Sequence, residues 1–308
     1  MIRVLRISTM EAVMALQFDE QAFEDQVYDL IVKASTDLPQ DVTGAIRDAR
    51  MHEEDGSPAK NVLGMLLKNV DLARKDATPI CQDTGTNIYH IYYPTGMSTL
   101  QLRRVIERAT KRATDESILR PNAVDPISGK NSGNNLGVEN PFFHFEEWEK
   151  EAVEVNLMLK GGGCENVSAQ YKLPDSTLDA GRDLNGVYKA VVDAVNSAQG
   201  LGCAPGIIGV GIGGDRATSH LTAKKQLFRK LDDTNPDPGL AEMEQRLLRD
   251  LNSLGIGPMG FGGKTTALGV KMGAAHRVPA SYFVSIAYMC WAFRRHTLTL
   301  KNGEVYYD

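Results

Sequence analysis

Ala152-Val153-Glu154-Val155-Asn156-Leu157-Met158-Leu159-Lys160 alternates cleanly and runs without a break into Gly161-Gly162-Gly163-Cys164. Val153, Val155, Leu157 and Leu159 share one face of an extended chain, and Glu154, Asn156, Met158 and Lys160 share the other. That period of two predicts a half-buried strand. The glycine triplet at its end allows backbone to approach a ligand closely, with N–H groups able to bind a carboxylate; the rival reading is a flexible turn. A strand end, a glycine turn and a cysteine together mark the kind of junction where sites gather.

Working outward, Asp183 to Gln199 reads as a helix closed by Gly200, Ile207 to Ile212 as a buried strand ending in glycines, and Thr222 to Asp233 as a basic helical segment. Ala241 to Leu254 is an amphipathic helix capped by Gly255, and Val284 to Met289 a last core strand. Upstream, Val27, Leu30, Ile31 and Ala34 recur at helical spacing, and Ala59 to Leu72 repeats the pattern after a polar break from His52 to Pro58. Ile88 to Tyr93 is β-rich, Leu100 to Leu119 is helical, and Arg120 to Asn140 is a loop rich in Asn, Gly, Pro and Ser, long enough to be functional or disordered. The fold class is therefore α/β in the mixed α+β sense: a helical N-terminal region followed by a glycine-rich α/β body. Residues 1–17 are set apart as an ambiguous start, because Met10 and Met14 could equally be internal initiators; 18–308 reads as a single domain with room for two lobes.

Composition narrows the function classes. A net charge of −5 over 308 residues carries no basic bias and disfavours nucleic acid as a partner. No apolar run approaches the roughly 20 residues of a membrane span, and Met1 to Arg6 lacks the sustained apolar core of a signal peptide. The four cysteines, Cys81, Cys164, Cys203 and Cys290, each stand at a junction and form no CxxC pair, so zinc spacing is absent; four in a chain this long make no disulfide scaffold and fit a reducing cytoplasm. Three distant thiolates converging in the fold could hold an iron–sulfur cluster with one iron open to substrate.

Other motifs have competing readings. Gly209-Val210-Gly211-Ile212-Gly213-Gly214 satisfies GxGxxG after a strand, yet no strand follows the next helical segment to present an acidic ribose ligand, so a site wall is the better reading than a dinucleotide cradle. Asp83, two residues after Cys81, suits acid–base work beside a metal; the rival is a turn in which its side chain bonds backbone ahead of Gly85. Gly262-Gly263-Lys264-Thr265-Thr266 could bind an anion at a helix N-terminus but has Pro258 where a P-loop needs glycine. Arg294 and Arg295 are either anion ligands or a solvated basic turn. His220 and His276 stand alone.

Together, Pro79 to Thr86, Asn122-Ala123-Val124, Asn131-Ser132-Gly133, Gly161 to Cys164, Cys203-Ala204-Pro205 with Gly213-Gly214, Gly255 to Thr266, and Cys290-Trp291 resemble the alpha subunit of the iron–sulfur, class I fumarate hydratase and L-tartrate dehydratase family, in the family's order from about Lys60 to His296. The resemblance implies a [4Fe–4S] cluster on Cys81, Cys203 and Cys290, with Cys164 outside the ligand set. It implies substrate-carboxylate contacts from Gln82, Asp83, Arg120 and the backbone at Gly163, with Asp83 in an acid–base role. It implies reversible hydration of fumarate to L-malate, a tricarboxylic acid cycle step. It also implies a cytoplasmic heteromer in which a separate beta subunit completes the site, as alpha2beta2. Val278 departs from the pattern, since relatives carry histidine there, twelve residues before Cys290. The Phe261 to Thr266 segment resembles the fumarase branch. Tartrate or another hydroxy-diacid is the rival substrate, and a cluster-free binding or regulatory subunit is the rival class.

Overall fold

The computed structural model describes residues 19–308; the expectation for residues 1–17 lies outside the described residues. The described chain opens with helices α1 (Glu20–Thr36), α2 (Gln40–His52) and α3 (Pro58–Asp76). The sequence shows two helical stripes here, and the structure has three helices because Pro39, which has no N–H and disfavours helix in the residue before it, ends the first. The break after His52 is as expected, with Ser57 capping α3 through Lys60 N–H and Pro58 in its first turn.

Two mixed sheets follow. The larger has the order β2 (Phe142–Trp148), β1 (Thr86–Pro94), β3 (Ala152–Lys160), β8 (Arg294–Lys301) and β9 (Glu304–Tyr307). The smaller has the order β4 (Ala169–Lys172), β7 (Phe283–Met289), β5 (Gly206–Gly213) and β6 (Ala267–Ala275). Among the described residues, β1 with β2 and β5 with β6 pair in parallel, and the other pairings are antiparallel. The remaining helices are α4 (Thr99–Asp115), α5 (Gly162–Asn166), α6 (Leu184–Ala198), α7 (Arg216–Gln226) and α8 (Pro238–Asn252). The mixed α/β class with N-terminal helices is as the sequence predicts.

The apolar face of β3 builds one core. Val153, Val155, Leu157 and Leu159 pack with Tyr89 and Ile91 of β1, Leu298 of β8, and the inward stripes of α1 and α4. Each large aliphatic buried there is worth about 1.5–3 kcal/mol. The second core surrounds the smaller sheet, with α2, α3, α6, α7 and α8 contributing. Met158, from the opposite face of β3, joins this second core. The half-buried reading of β3 is therefore corrected: Asn156 and Lys160 are buried as well as their apolar neighbours. Helix α7 and the segment after it cover that face, Phe228 meeting the His90 ring and Lys225 pairing with Glu146.

Other elements also differ from the sequence reading. Helix α4 stops at Asp115, where Ser117 turns left-handed (φ 64°) and Ile118 and Leu119 N–H both reach back to the Ala113 carbonyl. Helix α7 starts at Arg216 and ends at Gln226, so the basic segment after it is turn rather than helix. β7 is not the last core strand: the chain leaves it through Cys290–Phe293 and crosses into the larger sheet as β8. The Arg294–Arg295 pair, read as a possible solvated turn, begins β8 and is buried. No helix among the described residues is long and apolar enough to cross a membrane.

The GxGxxG glycines have a packing role. A Cβ on Gly209 would overlap the Ala223 carbonyl of α7, and one on Gly211 the Ser219 carbonyl. The N-terminus of α7 is capped by Asp215, whose carboxylate accepts the Thr218 N–H at 2.7 Å, so that helix end already carries an acidic partner. We expect Gly211→Ala to destabilise the fold by about 1–3 kcal/mol or more through overpacking, read as a lower denaturation midpoint, and NAD to leave the wild-type midpoint unmoved.

Candidate functional site

Sheet register gathers the four cysteines. Cys81 precedes β1 and Cys164 follows β3, and these antiparallel strands pair Thr86 with Lys160. Cys203 precedes β5 and Cys290 follows β7, and these pair Ile207 with Met289. The chain also passes between the sheets twice at this seam, after Lys160 and after Met289. All four are free thiols.

The Cys81 turn is fixed on both sides. Ile80 donates its N–H to the Ser35 carbonyl at 2.9 Å and accepts from Asn69 Nδ2 at 2.8 Å. Asp83 Oδ1 accepts the Gly85 N–H at 3.0 Å, the turn that was the alternative to a catalytic role. Its Oδ2 accepts the Gly162 N–H at 2.8 Å, which joins the cysteine turn to the glycine triplet. Gly85 has φ 81°, and a Cβ there would lie 2.8 Å from the Lys160 carbonyl carbon, so this close crossing requires glycine. Gly161 is similarly constrained, with Asp83 Oδ2 2.9 Å from where a Cβ would be.

Arg120 and Gln82 meet at the same edge. Arg120 Nη1 donates to the Gln82 carbonyl at 3.2 Å, and its backbone N–H donates to Thr84 Oγ1 at 3.0 Å. Both side chains are exposed. The loop from Arg120 to Asn140 is held by side-chain bonds: buried Asn135 donates to Thr114 Oγ1 and the Arg120 carbonyl, and Asn122 donates to Thr84 Oγ1 and the Gly85 carbonyl. Gln82, Asp83, Arg120 and Gly161–Gly163 thus form one connected edge.

Cys203 sits at φ 54° on a loop that glycines brace. Its carbonyl accepts the Trp291 N–H at 3.2 Å, tying it to the Cys290 turn. Met259 N–H donates to the Ala204 carbonyl at 2.8 Å, and a Cβ on Gly200 would lie 2.9 Å from Gly260 Cα, so the 255–263 loop stacks directly on the cysteine loop. The Gly262–Thr266 segment does bind an anion, but an internal one. No helix follows it, and the N–H groups of Lys264 and Thr265 hold the Glu53 carboxylate at 2.9–3.0 Å.

Electrostatically the thiols are neighbours. Burial first, then Cys81, Cys164 and Asp83, push the Cys203 thiol up. The adjoining Cys290 thiol, against burial and with help from the Lys160 charge, draws Cys164 down, and Cys290 is pushed up in turn. Cys164 itself points into the turn, its Sγ 3.1 Å from the Gly161 carbonyl. Among the described residues, no three His, Cys, Asp or Glu side chains converge tightly enough to hold a single metal ion. The donor chemistry suits an iron–sulfur group instead: thiols on separate loops, in mutual electrostatic reach, around two buried orphan donors. These are Tyr288 OH and the Arg294 guanidinium, whose Nε and Nη1 have no hydrogen-bond partner.

Sequence reasoning missed Tyr288 and left Arg294 undecided. A tyrosine inside a core strand carries no functional signal, although Gly202 and Gly206, both crowding its ring, do mark a close approach. Val278 is 64% exposed on the β6–β7 loop. His276 is exposed on that loop, and His220 is half-buried on α7.

The family profile described as Fumarate hydratase (Fumerase) matches residues 24–299. A Geobacillus stearothermophilus protein named "Putative fumarate hydratase class I" is 50% identical over 274 residues, covering 88% of this chain and 53% of that protein. The chain thus spans about half the length of that relative. A Methanocaldococcus jannaschii protein named "Putative L(+)-tartrate dehydratase subunit alpha" is 35% identical, covering 90% of this chain and 97% of the relative. The L(+)-tartrate dehydratase subunit alpha of Escherichia coli K12 is 30% identical, with 86% of each covered.

Lys160, 1% exposed behind the glycine triplet, pairs with Glu165, which also meets Lys224 at 2.6 Å. Burial raises the Glu165 pKa, but the two ammonium groups outweigh it and hold the carboxyl at about 2, against an ordinary 4.5. A depressed folded-state value means that the stabilisation is complete above the unfolded pKa and is lost as pH falls toward the folded one. The Glu165 side chain is 41% exposed, so solvent screens both pairs, and we expect Glu165→Gln to cost about 0.5–1.5 kcal/mol at pH 7, with the gap to wild type closing between about pH 4.5 and 2 in urea titrations.

Proposed function

The chain belongs to the fumarate hydratase (Fumerase) family, and from that premise we propose that it is the alpha component of a hydro-lyase that interconverts fumarate and L-malate. The observation that carries the reading is the hydrogen bond from Gly162 N–H to Asp83 Oδ2, which locks the Cys81-Gln82-Asp83 turn onto the glycine triplet beside three further thiols. Cys81, Cys203 and Cys290 would hold a [4Fe–4S] cluster, and Cys164 is turned inward to the Gly161 carbonyl. When bound, such a cluster supplies a Lewis acid at the iron that has no protein ligand, suited to polarising a hydroxyl and a carboxylate.

The chain's own groups do the rest of the work assigned to this subunit. The Arg120 guanidinium, anchored on the Gln82 carbonyl through one nitrogen, keeps further N–H donors for a substrate carboxylate. The Gln82 amide and the exposed Gly163 backbone extend that carboxylate cradle. Asp83 is held in place by two backbone N–H groups, one on each oxygen, and the remaining lone pairs can take up or deliver the proton α to a carboxylate. The other acid–base group would come from a second polypeptide. Two relatives named as alpha subunits support that division, as does the larger length of the Geobacillus protein. A cytoplasmic alpha2beta2 assembly is the form we assign, in keeping with four free thiols.

One observation favours a second substrate. The relatives matched over 97% and 86% of their length are named for tartrate, and the family resemblance implies a histidine where this chain has Val278. The test is anaerobic co-production with the partner chain, followed by fumarate and tartrate turnover. We expect fumarate hydration, reduced by about 100-fold or more in Cys81→Ser, Cys203→Ser and Cys290→Ser, and largely kept in Cys164→Ser. Turnover of tartrate alone would move the assignment to the second substrate, and full activity in any of the first three variants would remove that thiol from the ligand set.

A further inference from the structure

Buried cations in this chain come with carboxylates. Lys160 pairs with Glu165, Lys271 with Asp233 at 2.6 Å, and Arg295 with Asp41. The buried His90 and His296 face Glu146 and Asp308. Arg294 breaks the pattern. It is 1% exposed, the bulkiest of the fully buried side chains, and among the described residues it has no carboxylate within ion-pair distance. Its Nε and Nη1 are also without hydrogen-bond partners. A guanidinium cannot shed its proton to escape such a place, as a buried lysine can. A charge left in that state is strongly unfavourable unless a negative group is supplied to it.

The chain path shows where that group would be. Arg294 follows Cys290 by four residues, at the crossover from β7 to β8, and its N–H is turned back to the Ala292 carbonyl, the same carbonyl that Cys290 Sγ approaches at 3.8 Å. Its charge is felt at both Cys164 and Cys290.

Resting on the cluster reading above, we propose that Arg294 is the buried counter-cation of the iron–sulfur group, setting how firmly that group is retained and how readily it accepts an electron. A thiolate-ligated cluster is anionic, and reduction adds negative charge beside the guanidinium. Removing the cation therefore weakens retention and lowers the reduction potential. The colder consequence concerns the empty chain. Without the cluster Arg294 is a liability, so replacing it with a neutral side chain of similar length leaves the apo-protein as stable or more stable.

The test uses the full chain as wild type, Arg294→Met and Arg294→Lys, each reconstituted anaerobically with ferrous iron and sulfide. Cluster affinity, read as iron loss to a ferrous chelator, should weaken about 10- to 100-fold in Arg294→Met, the usual scale for groups behind a metal's ligands. Its midpoint potential in a dithionite titration followed by EPR should fall, while Arg294→Lys, which keeps the charge, should stay near wild type. Thermal unfolding of the apo forms should show Arg294→Met unchanged or raised. Equal retention and potential in Arg294→Met would overturn the proposal alone. So would an apo-protein destabilised in step with cluster loss, since that marks a merely structural residue. A wild-type chain that takes up no iron or sulfide would overturn the cluster reading and this inference with it.

Discussion

Two antiparallel pairings organise this protein. Thr86 opposite Lys160 and Ile207 opposite Met289 place the starts of two strands beside the ends of two others. Because each of those ends carries a cysteine, the register fixes the site before any side chain is considered. A slip of one residue would reverse the faces of β3 and empty both cores at once. The apolar burial that stabilises the sheets therefore also holds the site's geometry.

The loops at this seam are packed as tightly as the strands. Gly85, Gly161, Gly200, Gly202 and Gly206 all lie where a Cβ would strike backbone, a ring or the Asp83 carboxylate. Such packing leaves little freedom for the cysteine turns and gives a site that is formed in advance. Asp83 is the link among them, since its two oxygens join the Cys81 turn to the triplet. Behind that rigid edge lies an unusual charge arrangement, with Lys160 matched by Glu165 and Arg294 matched by no carboxylate among the described residues.

Much of this was legible in the sequence. The alternation from Ala152 to Lys160 gives β3 residue for residue, and the stripes of α1, α3 and α6 appear at their own positions. The motif residues Gln82, Asp83 and Arg120 meet at one edge beside the Cys81 turn, a nearness that their spacing in sequence does not show. What was hidden depends on partners distant in sequence. The polar face of β3 looks solvent-exposed until α7 covers it. Arg294-Arg295 looks like a basic turn, because charge in sequence says nothing of the strand pairing with Leu159 and Met158 that buries it. The Gly262–Thr266 segment looks like an anion site for a ligand, and its anion is Glu53, more than two hundred residues earlier in the chain.

The most direct test of the central claim, that separate cysteine loops meet to bind one cluster with an open iron, is a Mössbauer spectrum of the chain reconstituted anaerobically with iron-57 and sulfide. The account predicts a four-iron cluster in which one iron is distinguishable from the other three and alone changes when a dicarboxylate is added. A mononuclear iron signal, or a cluster whose irons all ignore the dicarboxylate, would contradict it.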